Sequence, residues 1–237
     1  MSTTDADTKE RKQPASNSYS PPPLLPPSHP LFECIHLIEN YLPDEQTEQT
    51  LIANCLSIKS GWNQVSKRRV VAVGGTVSPK GALIPTPMPS WLHTLTSTIG
   101  NKFNLYGSQP ANHVLINVYQ PGDGIMPHTD GPVYFHQVAI LSLGAPAVMR
   151  FYWRDNSTVP ETACSVFLPP RSLLLFADKA YTECMHGIDF VQVEDMCGVV
   201  NNVDGVKQVE RASTRVSLTI RRVLKCHKSL AFLMQRT

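Results

Sequence analysis

The chain has 237 residues, of which 42% are hydrophobic and 17% are charged. This length suits one compact domain with tails, and the composition is too apolar for a wholly disordered protein. The formal net charge of +2 is too small to give a global positive field, so any site for a polyanion must be local.

The cysteines and the apolar runs indicate an intracellular protein that does not span a membrane. Six cysteines are scattered without a C-x-x-C pair, and the N-terminus lacks a signal-peptide pattern. No run approaches the roughly 18 apolar residues of a transmembrane helix. We therefore expect free thiols and no membrane partner. We further expect a monomer located in the cytoplasm and nucleus.

The first residues, 1–30, are rich in Ser, Thr, Asn, Lys and Pro and end in two proline runs. Such a segment cannot bury enough apolar surface to offset the entropy lost on ordering. It predicts a disordered, proline-rich arm. A folded domain would follow over residues 31–224, with a basic C-terminal tail over residues 225–237.

Two helices are predicted before residue 110. Asp44 is a candidate N-cap for a helix that should run to about Lys59, because apolar residues recur there at helical spacing. Ser90 is a candidate cap for a second helix, and Gly100 lies where that helix should stop. Residues 64–90, between the helices, contain four prolines and several glycines, which predicts a short hairpin and loops.

Beyond residue 110, short β-branched runs alternate with turn residues. Eight or so strands at this spacing predict a sandwich or barrel, with the long helices outside it. The predicted strands are 113–119, 125–130, 137–143, 147–153, 164–168, 172–176, 186–193 and 214–223.

Three separated residues are candidate ligands of one metal ion. His128 and Asp130 follow a glycine-rich turn and lie two residues apart, which puts an imidazole and a carboxylate on the same side of an extended segment. Two such ligands with open positions suit non-haem iron. His186, which follows an apolar strand and a loop, is the favoured third ligand, and His136 and His227 are the alternatives.

Polar side chains share one face in two of the predicted strands. Two arginines on a buried face would need an anion, which a dicarboxylate could supply, whereas on a solvent-facing edge strand they would be solvated. The polar positions are Asn117 and Tyr119 in the first strand and Arg215, Ser217, Thr219 and Arg221 in the last.

In their order, these motifs resemble those of the AlkB-like family of iron(II)- and 2-oxoglutarate-dependent dioxygenases. The flanking sequence is similar to the branch formed by the sixth animal homologue, and the resemblance covers residues 32–223. The matching motifs are Asn117-Val-Tyr119, His128-Thr-Asp130, His186 and the alternating series from Arg215 to Arg221.

The resemblance implies a fold that is mainly β with flanking helices, a double-stranded β-helix or jelly roll. An N-terminal substrate lid would correspond to residues 60–90. Fe(II) would be held by His128, Asp130 and His186, and the enzyme would consume O2 and 2-oxoglutarate.

The resemblance also assigns the cosubstrate site. Arg215 would pair with the distal carboxylate of 2-oxoglutarate, and Arg221 would lie near its metal-bound end. Asn117 and Tyr119 would donate hydrogen bonds. Ser217 occupies a position where some relatives carry Asn, so it would contact the cosubstrate through a shorter side chain.

The family favours oxidative demethylation of an N-alkylated base in DNA or RNA. Basic residues flanking the lid agree with a nucleic-acid partner. The stretch between His186 and Arg215 disagrees, because it carries five acidic residues and only two basic ones. The alternatives are hydroxylation or demethylation of a protein side chain, and a catalytically idle nucleic-acid-binding module.

Overall fold

The computed structural model describes residues 20–154 and 161–227 of the chain. Within these ranges, no helix has the length and apolar character needed to cross a membrane. The helices are α1 (Glu45–Leu56), α2 (Ser90–Lys102) and α3 (Asp178–Thr182). The strands are β1 (Ile35–Ile38), β2 (Asn63–Val65), β3 (Arg68–Val73), β4 (Gly75–Val77), β5 (Ala82–Pro85), β6 (His113–Tyr119), β7 (Ile125–His128), β8 (Gln137–Gly144), β9 (Ala147–Trp153), β10 (Thr162–Leu168), β11 (Leu173–Ala177), β12 (Cys184–Ile188), β13 (Val193–Asp195), β14 (Gln208–Glu210), β15 (Arg215–Arg221) and β16 (Lys225–Cys226).

Two antiparallel sheets form the body of the protein. The larger has seven strands in the order β1-β11-β8-β15-β6-β3-β2, and the smaller has four in the order β10-β9-β12-β7. Two minor sheets, β13-β14 and β16-β5-β4, lie at the periphery. The predicted jelly roll, mainly β with flanking helices, is confirmed.

Alternation along the strands of the larger sheet gives it two different faces. One face packs against the helices: Leu218 of β15 and Ile116 of β6 belong to the same buried cluster as Leu92 and Ile99 of α2. The opposite face looks toward the smaller sheet. The helices therefore support the larger sheet from outside and leave the space between the sheets to other residues.

The space between the sheets has an apolar half and a polar half. Near β11 and β8 it is filled by side chains such as Phe151 and Phe176, whose rings meet edge to face at 5.4 Å. Near β15 and β6 the inward positions carry polar side chains that line a cavity. The strand β15 lies between β8 and β6, so the prediction of a buried polar face is confirmed and an edge strand is excluded.

The helix boundaries depart from the sequence-based prediction at their C-terminal ends. Asp44 caps α1 by accepting a hydrogen bond from the Thr47 backbone at 2.7 Å, as predicted, but the helix ends at Leu56 rather than near Lys59. The prediction that Gly100 stops α2 is wrong, because this helix runs to Lys102. Gly100 faces open space, and the added turn buries Phe103.

Three predicted strands are shorter than expected, and one of them, 214–223, is observed as Arg215–Arg221. The strand 125–130 ends at His128, which leaves Asp130 in the following turn. The strand 186–193 is divided: β12 ends at Ile188, and Val193 begins β13, which pairs with β14 instead. At Asp189 the side chain forms an ion pair with Arg150 at 2.8 Å, and the chain leaves the smaller sheet there.

The lid segment 60–90 contributes directly to the larger sheet. Its first hairpin, β2 and β3, extends that sheet beside β6, and its second, β4 and β5, pairs with the C-terminal β16. The predicted hairpin and loops are therefore found as two hairpins. A role as a substrate lid stays a prediction.

The N-terminal segment differs from the predicted arm where it is described. Leu25 is only 3% exposed, the Leu24 backbone N–H donates to the Ile35 carbonyl at 3.0 Å, and a ring nitrogen of His29 lies 3.1 Å from the Ala163 carbonyl. Burial of Leu25 offsets part of the cost of ordering this irregular chain. Residues 1–19 of the predicted arm and 228–237 of the predicted tail lie outside the described residues.

Replacing Leu218 by Ala should lower the free energy of unfolding by about 2–5 kcal/mol, because this fully buried side chain joins the helices to the larger sheet. Urea denaturation measures the change. Val203, which is 89% exposed, is the matched control, and Val203→Ala should change stability by less than about 0.5 kcal/mol. Equal effects of the two substitutions would contradict this packing.

Candidate active site

The smaller sheet brings the three predicted metal ligands together. His128 at the end of β7 is the Cα partner of His186 in β12, and the two ring centroids lie 4.5 Å apart. Asp130 follows in the turn after β7. One potential ligand atom from each of the three residues lies within 4.8 Å of those of the other two. This is the two-histidine, one-carboxylate arrangement of non-haem iron sites.

Close contact between β7 and β12 depends on a glycine. Their register shifts by one residue, since His186 pairs with His128 while Ile188 pairs with Ile125. A Cβ atom on Gly187 would lie 2.9 Å from the Ile125 carbonyl oxygen and 3.0 Å from the Pro127 nitrogen. Both contacts are with backbone, which cannot swing away as a side chain can. Glycine is therefore required for the two histidines to face each other at this distance.

The hydrogen bond made by His128 orients its ring. Its Nδ1 atom lies 2.9 Å from the Met126 carbonyl oxygen. A carbonyl only accepts, so Nδ1 carries the proton and donates it there. The lone pair of the neutral ring is then on Nε2, the atom available to a metal ion.

Asp130 is held by one oxygen and leaves the other free. Its Oδ1 atom accepts a hydrogen bond from Arg221 in a buried ion pair. Oδ2 is buried and has no hydrogen-bond partner among the described residues. Burial alone would raise the pKa of this carboxyl, but Arg221 and the two histidines outweigh it and hold the pKa below its ordinary value. The result is an ionised carboxylate with one oxygen available to a cation.

His186 is well suited to bind metal as a neutral ligand. Its side chain is packed against the Phe176 ring, with centroids 5.1 Å apart, and burial lowers its pKa to about 4. The two alternative histidines are elsewhere. His136 stacks on Tyr181 at 5.2 Å, and His227 is exposed beyond β16, so in the described part of the chain neither joins the cluster.

Arg215 is a buried cation with incomplete hydrogen bonding. It is 3% exposed, and one of its Nη atoms donates to the Ser142 hydroxyl at 2.9 Å. Its Nε and Nη1 atoms have no acceptor in the described ranges. Burial lowers its pKa to about 10, because the charged form has lost its hydration. A buried guanidinium with two unused donors is a site for an anion, and the planar guanidinium group matches a carboxylate in shape.

The remaining predicted residues complete one cavity. Asn117 and Tyr119 of β6 lie opposite Ser217 and Arg215 of β15 in register, and all four side chains line the cavity floor. All eight residues proposed from the sequence line this single cavity: Asn117, Tyr119, His128, Asp130, His186, Arg215, Ser217 and Arg221. The structure therefore brings the complete predicted set together.

Several residues at the mouth of the cavity were not foreseen. Arg68 of β3 donates from Nε to the Asn117 side-chain oxygen at 3.2 Å and lies at the entrance. The entrance is also lined by the exposed side chains of Met126 and Phe190 and by Tyr134, whose ring lies 4.1 Å from the Arg221 guanidinium carbon. The basic run 67–69 gave a signal for Arg68, but no local pattern marks the other three.

Comparison with known proteins relates the chain to enzymes. A family model described as the 2OG-Fe(II) oxygenase superfamily matches residues 73–221, which is more than half of the chain. A Danio rerio protein named probable RNA/DNA demethylase ALKBH6 is 33% identical over 211 residues, which cover 84% of this chain and 89% of that protein.

Two further comparisons concern part of the sequence and the fold. The Xenopus tropicalis tRNA (carboxymethyluridine(34)-5-O)-methyltransferase alkbh8 is 37% identical over 120 residues, 47% of this chain and 18% of that larger protein. The solved structure of OsALKBH1 superposes with a TM-score of 0.54 at 16% identity and covers 80% of this chain and 98% of that one. At this identity the structural likeness shows a shared fold.

Substituting Gly187 by Ala should weaken divalent-metal binding roughly tenfold or more, because the added methyl group pushes β7 away from β12. Titration with Mn(II) or Co(II) measures the affinity. Gly100→Ala is the matched control, since a Cβ there meets nothing within 4 Å and alanine favours the helix. Unchanged metal affinity in Gly187→Ala would show that the two histidines do not need this close strand contact.

Proposed function

The chain belongs to the 2OG-Fe(II) oxygenase superfamily, and we propose that it oxidatively removes alkyl groups from nitrogen atoms of nucleic-acid bases. Membership makes it an oxidoreductase that requires Fe(II), 2-oxoglutarate and O2. The resemblance to AlkB-like dioxygenases drawn from the order of the motifs is thereby confirmed. The substrate and the roles of individual residues form the proposal.

In this proposal His128, Asp130 and His186 hold the iron. The fit is supported by the unpaired, buried Oδ2 of Asp130 and by the orientation of His128, which leaves Nε2 available. Bound iron supplies the means to activate O2 while 2-oxoglutarate is converted to succinate and CO2. Arg221 keeps Asp130 ionised and fixes its direction, so the protein supplies a preformed set of ligands.

The cosubstrate is proposed to lie between the metal site and Arg215. The two unused donors of Arg215 are the observation that carries this assignment, because a buried guanidinium without an anion is costly. Tyr119 places its ring 5.3 Å from the Arg215 guanidinium carbon and closes that side. Asn117 and Ser217 lie between this end and the metal, where both can contact the cosubstrate.

The mouth of the cavity supports a nucleobase as substrate. Met126, Tyr134 and Phe190 offer apolar and aromatic surface, against which the flat face of a base can pack, and Arg68 adds a positive charge for a phosphate. The relatives' names agree, since one is called a probable RNA/DNA demethylase and another a tRNA methyltransferase. An N-methyl group that becomes hydroxylated at this site would break down to formaldehyde and the free nitrogen.

The acidic stretch between β12 and β15 opposes a polyanion less than its composition suggests. Asp189 is paired with Arg150, and Glu194 is fully buried and paired with Arg211. Paired carboxylates present little net field to a distant phosphate. The other three acidic residues of this stretch, Asp195, Asp204 and Glu210, have no such partner within residues 20–154 and 161–227, and they are exposed.

Replacing Arg215 by Met should raise the dissociation constant for 2-oxoglutarate roughly 30-fold or more, because a charge-assisted pair to the distal carboxylate is lost. Calorimetric titration of the metal-loaded protein measures it, and metal affinity should stay within about twofold of wild type. The neighbouring Arg222, which donates to the Pro110 carbonyl, serves as the control in Arg222→Met. Equal loss of metal and 2-oxoglutarate binding would contradict the role given to Arg215.

The substrate assignment is tested with single-stranded oligonucleotides that carry one N-methylated base. With iron, ascorbate and 2-oxoglutarate, we expect formaldehyde and succinate in equal amounts, and neither above background with unmethylated oligonucleotide or with His186→Ala. Stimulation by an N-methylated peptide alone would replace a nucleic-acid substrate by a protein. Absence of succinate at full iron loading would make the protein a binding module.

A further inference from the structure

A second buried ion pair, formed by Glu194 and Arg211, lies outside the residues assigned above. Glu194 is 0% exposed and Arg211 is 4% exposed. One oxygen of Glu194 accepts from Nε of Arg211 and from the backbone N–H of Val148, both at 2.7 Å. Arg211 also donates from Nη1 to the Asp123 carbonyl at 2.7 Å.

The contacts of this pair place it behind Arg215. Asp123 belongs to the turn that follows Tyr119, and Tyr119 is the register partner of Arg215. Arg211 precedes Arg215 by four residues, and Val148 is the second residue of β9. The pair thus joins four segments, namely β13, the stretch before β15, the turn after β6 and the start of β9, next to the strand ends that carry Arg215 and Tyr119.

The chemistry of this pair points to more than stability. Two buried charges lose their hydration, and a well-packed apolar pair of the same volume is often at least as stable. Both charges act on Arg215. The positive charge of Arg211 lowers the pKa of Arg215, the negative charge of Glu194 raises it, and the effect of Arg211 is the larger of the two. The distal carboxylate of a ligand would be a third buried charge at the same place. Because it is negative, Arg211 would attract it and Glu194 would repel it.

We propose that the Glu194–Arg211 pair sets the electrostatic potential of the distal-carboxylate site: Arg211 strengthens the attraction of Arg215, and Glu194 limits it. The proposal rests on the placement of 2-oxoglutarate against Arg215. Arg211 and Glu194 are positioning residues, because they act on the ligand through the field around Arg215 and through the segments that they join.

The limit set by Glu194 matters for product release. Succinate keeps the distal carboxylate of 2-oxoglutarate, whereas the C1 carboxylate leaves as CO2 and the 2-oxo carbon becomes the second carboxylate of succinate. After each turnover, attraction at the distal end therefore still acts on the product. Without the negative charge of Glu194, both dicarboxylates would bind more tightly, and succinate would inhibit more strongly.

The test measures dissociation constants of three ligands for the metal-loaded full chain by calorimetry. The ligands are 2-oxoglutarate, succinate and 2-oxobutyrate, a keto acid without a distal carboxylate. For Glu194→Gln we expect 2-oxoglutarate and succinate to bind roughly threefold or more tightly, and for Arg211→Met roughly tenfold more weakly. The double variant should lie within about twofold of wild type, and 2-oxobutyrate should not respond to any of them.

The Arg150–Asp189 pair in the same stretch is the matched control, because it is partly exposed and lies on the outside of the smaller sheet. Asp189→Asn should leave all three ligands unaffected. If Arg211→Met fails to fold because it leaves a buried carboxylate unpaired, the sign of the Glu194→Gln effect and the value for the double variant decide the matter.

Two results would overturn the inference. One is a change of the same sign in the dissociation constants of Glu194→Gln and Arg211→Met. The other is an equal change for 2-oxoglutarate and 2-oxobutyrate. Either result would mean that the pair only stabilises the fold. Failure of the wild-type protein to bind 2-oxoglutarate is a different result, because it would remove the proposed cosubstrate site itself.

Discussion

Balance of charge in the space between the two sheets is the constraint on which this structure depends. Arg215 and Arg221 are buried there, and a third arginine, Arg211, is buried four residues before Arg215. Arg221 is paired with Asp130 and Arg211 with Glu194, whereas Arg215 has no carboxylate partner in the described part of the chain. A buried cation without an anion is unfavourable, so the folded protein already specifies a negatively charged ligand at that place.

The division of the intersheet space explains how the protein tolerates this charge. One half is packed with apolar side chains from β8, β9, β10 and β11, and the outer face of the larger sheet is covered by helices. Stability comes from these two clusters, so the strands β6, β7, β12 and β15 are free to carry polar residues inward. A rigid scaffold thus positions the polar residues of the site, and these residues contribute little to the stability of the scaffold.

Local patterns in the sequence, together with the family resemblance, identified residues that line the cavity but not their supporting contacts. Alternation along β15 and β6 identified their inward faces, and the bounds predicted for β6 and β9 agree with the structure. The pairing of Glu194 with Arg211, 17 residues apart, and the reach of Arg68 to Asn117, 49 residues apart, depend on tertiary contacts that no local period encodes. The prediction that Gly100 stops α2 was wrong because Gly100 faces solvent while the next part of the chain places Phe103 in the core.

The contact of Arg221 with Asp130 would limit how this carboxylate binds the proposed iron. A free carboxylate can chelate a cation through both oxygens, but here one oxygen is engaged by a guanidinium, so Asp130 has a single oxygen to offer. In the proposed site, that oxygen and one nitrogen from each histidine would supply three ligands to the iron, and the remaining positions would stay open for 2-oxoglutarate and O2.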